Sequence, residues 1–355
     1  MHCHAVIDQN ITSQEDPSME HLEWTVGIDV AAESFVAAVW KVSERRIVDR
    51  ASFANTPDGF AELFSWLLQQ QVRSEESLIC LEATGVYSEA LSYRLVGEGW
   101  SVAVEAPQKV HRVFRRTQKN DLLDAMQIAE YAWRYSDQLT RWQPSSRAVE
   151  ELRVLLSTRE QLVGYRTAQQ NSLKSLQRKV VISRVAQQVQ EQTIAHLQQQ
   201  IQQIDDAIAA IVEEDRQIGD HARRLRKVPG VGLLLIANLA VLTQGFVLRV
   251  ESRHLCSLLG IAPREHSSGT SIRRRPRSSG HGPHRIRKLL YLAAMSRRRN
   301  DNGARVYYQR KIAEGKPPRV VLNNLANKLI ALLCALITSE AEYDPRLQAV
   351  HLAEA

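Results

Sequence analysis

From Trp24 onward the apolar residues fall in short, closely spaced runs. WTVGIDVAAESFVAAVWKV is rich in valine and aromatic residues and is interrupted near Ala31–Ala32, a pattern that predicts two strands. RIVDRASFAN predicts a third. At Pro57–Asp58 the period changes: Phe60, Leu63, Phe64, Leu67 and Leu68 lie along one side of an amphipathic helix. SLICLEA is continuously apolar, as a strand buried inside a sheet would be. A helix over 87–97 ends at Gly97 and Gly99, and SVAVEAP predicts another strand, stopped by Pro107. Helical patterns follow over 108–116 and 121–135. Three adjacent strands followed by alternating helices and strands predict an α/β domain with a mixed sheet, ending near Pro144.

The pattern then turns wholly helical. Between Ser146 and Val228 there is no proline, and Gly164 and Gly219 are the only glycines. Ile194, Leu197, Ile201, Ile204, Ile208 and Ile211 recur at alternating spacings of three and four, and Ile218, Ala222 and Leu225 continue them past a break at Asp215. This is a heptad seam with a Gln-rich, charged remainder, and it predicts two long helices split near Val181–Ser183. The seam fits a helical hairpin within one chain and a dimer contact equally well. Pro229 ends this stretch, and VPGVG leads into apolar helices at LLLIANLAVL and LCSLLGIAP. A helix with a basic start, IRKLLYLAAM, and a long amphipathic helix, RVVLNNLANKLIALLCALI, complete the pattern. Pro-Gly-x-Gly between helices makes the amides near Gly230 and Gly232 candidates for a phosphate contact or a plain tight turn.

The predicted organisation is a disordered tail over 1–22, an α/β domain over 23–145, a coiled-coil connector over 146–227, a helical domain over 228–340 and a tail over 341–355. MHCHAVIDQN lacks the charged-then-apolar order of a signal peptide. His2, Cys3 and His4 could bind a metal, but a floppy tail suits them better. No run reaches 18 apolar residues, so no membrane span is expected. The four cysteines are scattered without CxxC spacing, which argues against a disulfide framework or zinc site and fits a reducing cytoplasm.

Charge sharpens the picture. The net charge is +7, and between Arg264 and Arg299 eleven Arg/Lys accompany one acid, Glu265, a local net of +10, so the other 319 residues sum to −3. Concentrated charge of this kind predicts a surface for an anionic partner such as nucleic acid. Its first part, PREHSSGTSIRRRPRSSGHG, reads as a loop carrying Arg264, Arg273, Arg274, Arg275 and Arg277, followed by Arg285, Arg287 and Lys288 at the start of a helix. Serines in such a loop can donate to a phosphate or attack one. Trp24, Trp133 and Trp142 could stack on bases, although core packing suits them better.

Four acids stand out by position. Asp29 in GIDV and Glu82 in CLEATG fall at the ends of apolar strands, and Asp121 and Asp124 in KNDLLDA share a helix face. Each alone is an ordinary turn or cap residue. Brought together they would repel, by roughly 3 kcal/mol for two carboxylates 5 Å apart at an effective dielectric near 20. A hard divalent cation such as Mg²⁺ would relieve that repulsion, and a pair of such ions can clamp a phosphodiester under attack.

In this order, GIDVAAESF, LEATGVY and KNDLLDA resemble the three blocks of the RuvC-like DEDD domain of the IS110 family of bacterial insertion-sequence transposases. VPGVG, LLGIAPREHSSG and IRKLLYLAA are similar to its C-terminal transposase domain, so the likeness spans roughly residues 24–335. The resemblance implies a ribonuclease-H-like mixed-sheet domain, long coiled-coil helices and a serine-bearing helical domain. It implies a cytoplasmic, nucleoid-associated recombinase that moves its own element between donor and target DNA. It further implies an element-encoded bridge RNA, a dimer-to-tetramer assembly, Mg²⁺ held by Asp29, Glu82, Asp121 and Asp124, and a nucleophile at Ser268, the serine before Gly269. Asn120 stands where the family usually has threonine, and Ser267 is a second hydroxyl beside the first.

A metal-dependent junction nuclease with no covalent step would share the acids and the basic segment but have no need of Ser268. A non-enzymatic coiled-coil DNA-bridging protein would need neither. No GxSxG elbow is present to suggest an ester or peptide hydrolase. If the basic segment makes six to ten phosphate contacts, DNA affinity falls by about 10³–10⁵ between 50 and 200 mM salt. Filter binding across that range checks this, and a flat response refutes it.

Overall fold

The structure is a computed structural model that describes residues 21–83, 85–114, 121–268, 272–280 and 282–346, with backbone alone for Asp121, 264–268 and 272–277. The expected N-terminal tail, apart from residues 21 and 22, lies outside the described residues. The chain divides into two compact units, with the boundary between Pro144 and Ser145.

The first unit is built on five strands, β1 Trp24–Val30, β2 Ser34–Lys41, β3 Arg46–Ala54, β4 Ser77–Glu82 and β5 Val102–Glu105, in the order β3-β2-β1-β4-β5. β1–β2 and β2–β3 are antiparallel; β1–β4 and β4–β5 are parallel. This mixed sheet, with helices on both faces, is a ribonuclease-H-like domain. The hairpins arise because the first three runs are joined by turns too short for a crossover, whereas the parallel pairs are joined through α1 Pro57–Gln69 and α2 Glu89–Gly97. Thr56 caps α1 by accepting from the Gly59 amide, and Pro57 occupies the first turn, where its missing N–H costs nothing.

The two faces of the sheet have different partners. Val26, Ile28, Ile79, Leu81 and Val102 pack with Leu63 and Leu67 of α1 and Leu91 and Leu95 of α2. Leu78, Cys80 and Ala103, alternate residues of the same strands, pack with Val110 of α3 Pro107–Val113 and with Ile128, Tyr131 and Ala132 of α4 Asp121–Arg134. Pro107 therefore opens α3 rather than merely stopping β5. Trp24 is buried in the core, Trp133 stacks on Trp40 at 5.3 Å and Trp142 meets Tyr93 edge-on at 5.2 Å, so all three tryptophans are engaged in packing.

α4 lies unusually close to β1. A Cβ on Gly27 would stand 2.1 Å from the Ala129 amide nitrogen and 2.2 Å from the Ala125 carbonyl oxygen, a separation only glycine permits. The Thr25 hydroxyl donates to the Ala129 carbonyl at 2.8 Å on the same face.

The second unit begins with α5 Arg147–Leu176 and α6 Arg184–Glu214, an antiparallel hairpin. Arg159 pairs with Asp205, Arg166 with Gln198, and Gln190 donates to Ser172, so partners ascend one helix as they descend the other. Leu197, Ile201 and Ile208 of the heptad seam are buried, and the seam is used at least in part within the chain. Asp215 ends α6 and caps α7 Arg216–Leu225 by accepting from the Ile218 amide at 2.9 Å. The VPGVG turn follows. Gly230 sits at φ +84°, and a Cβ there would meet the Ala293 carbonyl oxygen at 2.6 Å, so this glycine serves close packing.

α8 Leu233–Leu242, α9 Ser252–Leu258, α10 His284–Asn300, α11 Asn302–Ala313 and α12 Pro318–Ser339 complete the unit. α12 is long and apolar enough to cross a membrane, in contrast to the count of apolar runs, but its Val321, Leu325, Leu329, Ile330 and Leu333 form the core of this unit. Asn323 and Asn327 on α12 both donate to the Ile261 carbonyl. Arg297 is fully buried and pairs with Asp301 at 2.6 Å, and Asp301 also caps α11 through the Ala304 amide. One of the eleven cations of the basic segment is thus a core residue. The segment 341–346 is tied back to α7, with Lys227 pairing with Glu342 at 2.5 Å.

Two outcomes follow from these contacts. Gly27→Ala forces α4 off β1 and destabilises the first unit by about 1–3 kcal/mol, as overpacking does, measurable by urea denaturation. His221 on α7 is buried against Phe246 at 4.9 Å, and burial, then the neighbouring Arg224 charge, holds its pKa below the ordinary 6.5. The unfolded chain therefore binds the proton more readily, so stability is fullest above pH 6.5 and declines as the pH falls through that value. The slope from this group is at most about 1.4 kcal/mol per pH unit, and it is absent in His221→Gln.

Candidate functional site

β1, β4 and β5 run parallel, so their carboxyl ends lie along one edge of the sheet. In open sheets with helices on both faces, that edge is where ligands bind. Asp29 is the last residue but one of β1, Glu82 the last of β4 and Glu105 the last of β5.

Pleating decides which way each points. On β1, Thr25 and Gly27 face α4, so Asp29, two residues on, shares their face. On β4, Leu78 and Cys80 face α4, and Glu82 follows in the same series. Asp124 is carried by α4 itself, next to Ala125, the residue that abuts Gly27. Asp29 is half-buried, while Glu82 and Asp124 are buried. Three of the four sequence-nominated acids therefore lie on one face or on the helix that covers it. Asp121 opens α4 three residues before Asp124, and its side chain lies outside the described residues.

The donor chemistry of this set, carboxylate oxygen throughout, fits a hard divalent cation. Among the described residues no three Asp, Glu, His or Cys side chains stand close enough to form a finished metal site. The chemistry fits, but a complete cage is not formed by the described side chains.

Two residues of this edge were not nominated by the sequence. Glu105 stands opposite Glu82 in the β4–β5 register and is buried, with Lys109 of α3 3.1 Å from its Oε2. Burial pushes its carboxyl up to about 7, against the favourable Ala106 amide. Burial, and after it the Glu105 and Glu82 charges, also push the Cys80 thiol upward, and the Cys80 thiol therefore feels both acids. The signal for Glu105 was present: an acid ending an apolar strand, as at Asp29 and Glu82. Asn55, after β3, donates to the carbonyls of Ala31 and Tyr87 at 3.0 and 3.1 Å. It thereby ties together the segments that leave β1 and β4 just beyond the acids.

The basic segment is not the loop its composition suggested. Pro263–Ser268 and Ile272–Ser278 form a two-stranded antiparallel hairpin, β6 and β7, in which Ser268 pairs with Ile272 and Ser267 with Arg273. The register slips between Arg264 and His266, so Arg275 and Pro276 together oppose Glu265, a bulge that accommodates a proline within a strand. With no apolar alternation, only backbone pairing holds this hairpin, and for that reason its composition concealed it. The side chains of Arg264, Ser268, Arg273, Arg274, Arg275 and Arg277 lie outside the described residues. Arg285 pairs with Glu160 of α5 at 2.5 Å, Arg287 donates to the Gly280 carbonyl and Lys288 is exposed. Gly232 caps α8 with extended backbone.

Comparisons with known proteins match this arrangement. A DEDD transposase family of the IS110 type, described as Transposase, matches residues 26–182, and the Transposase IS116/IS110/IS902 family matches residues 222–309. A pilin gene-inverting protein of Moraxella lacunata is 26% identical over 91% of this chain and 98% of its own length. The transposase for insertion sequence element IS1111A of Coxiella burnetii is 25% identical over 90% of each chain. Among solved structures, Thermus thermophilus RuvC bound to a Holliday junction substrate aligns with 34% of this chain and 99% of its own at 13% identity, with a TM-score of 0.27. The sheet with its carboxylate edge and these matches together define a DNA transposase. The chain belongs to the IS110 family of insertion-sequence transposases.

Proposed function

We propose that this transposase cuts and rejoins DNA through a transient phosphoserine link, guided by an element-encoded bridge RNA, with Mg²⁺ held at the acidic edge of the first unit. The single observation that carries the reading is the convergence of Asp29, Glu82 and Asp124 at the carboxyl edge of β1 and β4, on the face that α4 covers. Asp121, one helical turn before Asp124, completes the set.

Bound there, Mg²⁺ would offset charge on phosphate oxygens. The remaining chemistry belongs to the chain. Ser268 Oγ attacks a DNA phosphorus, forming a serine–phosphate ester as the bond to one deoxyribose oxygen breaks and that oxygen takes a proton. A deoxyribose hydroxyl from the exchanging strand then attacks the phosphoserine, restoring a phosphodiester and freeing the serine. The two steps consume no phosphodiester, so no external energy source is needed. Arg264, Arg273, Arg274, Arg275 and Arg277 on the β6–β7 hairpin offset charge on the transferring phosphoryl group. Arg285, Arg287, Lys288 and the amides near Gly230 and Gly232 hold the nucleic-acid backbone. Strand choice falls to base pairing with the RNA, while the protein reads backbone and shape. The heptad residues left over from the α5–α6 hairpin are available to a dimer-to-tetramer assembly.

The name of the Moraxella relative supports exchange over simple hydrolysis. Inverting a gene requires cut strands to be rejoined, which a junction nuclease or a bridging protein does not accomplish. Ser268→Ala is expected to abolish a denaturation-resistant protein–DNA adduct while leaving DNA binding nearly intact, as read by gel electrophoresis under denaturing conditions and by filter binding. An adduct that persists in Ser268→Ala and vanishes in Ser267→Ala moves the role to Ser267; persistence in both refutes the covalent step.

A further inference from the structure

Glu105 was not among the acids nominated above, yet it completes a row. β4 and β5 are parallel and in register at Glu82 and Glu105, so the two residues are immediate neighbours across the ladder and project to the same face. That face is the one α4 covers, since Ala103, two residues before Glu105, packs with Ile128, Tyr131 and Ala132. Glu105 therefore stands at the same edge, on the same face and at the same strand terminus as Glu82, one strand further from Asp29.

Its presence there needs a reason. The residues beneath it on this face are Leu78, Cys80 and Ala103, all buried and apolar or nearly so. An apolar side chain would continue that packing at no electrostatic cost. A second buried carboxylate beside Glu82 instead adds like-charge repulsion and desolvation. Lys109 reaches Glu105 at 3.1 Å from α3, four residues on, and with 28% of its side chain exposed it retains a path to solvent. One ammonium thus faces the outermost acid of the row. Excess buried negative charge at a ligand-binding edge is the arrangement a bound cation would complete.

We propose that Glu105 is a fifth carboxylate of the cation site, setting its affinity through charge beside Glu82, and that Lys109 is its counter-ion when no cation is bound. This rests on the assignment of Asp29, Glu82, Asp121 and Asp124 as cation ligands. When a divalent ion arrives, the ion takes over the neutralising role and Lys109 is released toward solvent.

The test is Mn²⁺ binding to the full chain without DNA, followed by electron paramagnetic resonance of the free ion at constant pH, with circular dichroism to establish folding. Glu105→Gln is expected to weaken Mn²⁺ affinity by about 10–100-fold, the range for a carboxylate that supports metal ligands. Glu105→Asp, which keeps the charge, retains most of the affinity. Lys109→Gln binds Mn²⁺ at least as tightly as the parent, because it removes the competing cation and leaves the carboxylate. Parent-like affinity in a folded Glu105→Gln overturns the proposal. So does a loss in Lys109→Gln as large as that in Glu105→Gln, which would show that the pair merely anchors α3. Asp124→Asn separates the two levels. If it abolishes Mn²⁺ binding while Glu105→Gln does not weaken it, the role of Glu105 alone fails; if it changes nothing, the cation site itself fails.

Discussion

The first unit depends on the approach of α4 to β1 across Gly27. With a Cβ of any kind at that position, the helix backbone at Ala125 and Ala129 could not lie where it does. The contact fixes the height of α4 over the sheet, and the Thr25–Ala129 hydrogen bond supports it. Two residues along the strand is Asp29; one residue back along the helix from Ala125 is Asp124. The same glycine that allows the packing thus sets two carboxylates on facing elements.

That arrangement creates an electrostatic problem which the fold leaves largely in place. Glu82, Glu105 and Asp124 are all buried, and burial raises the Glu105 carboxyl to about 7. Lys109 is a single mobile cation against this charge. A structure selected for stability alone would have placed apolar residues at these strand ends, as it does immediately beneath them. The excess negative charge belongs to function, and it marks the edge where a transposase of this family would meet the phosphates of DNA.

The second unit carries the opposite charge on a different frame. Its stability comes from α12 and the helices around it, together with the buried Arg297–Asp301 pair that joins α10 to α11. The arginine-rich hairpin adds little to that core. It is held by backbone pairing, and its bulge at Arg275–Pro276 interrupts even that. Stability and nucleic-acid chemistry are therefore assigned to separate segments, and substitutions in the hairpin should bear on DNA more than on folding.

Periodicity and composition alone determined the elements of both units. Strand runs, the helix starts at Pro57 and Asp121, the break at Asp215 and the terminal acids Asp29 and Glu82 were all legible, because each reflects a local rule of pleat, helical period or capping. The basic hairpin escaped, since strands without apolar alternation leave no local trace. The heptads could not by themselves assign a partner; the Arg159–Asp205 and Gln190–Ser172 contacts show α5 and α6 packing on each other. Glu105 was legible as a strand-end acid, but its significance came from register with Glu82, and the role of Gly27 came from a helix about a hundred residues away in sequence. Register and helix height are long-range quantities, set by packing between segments, and only the tertiary structure could decide them.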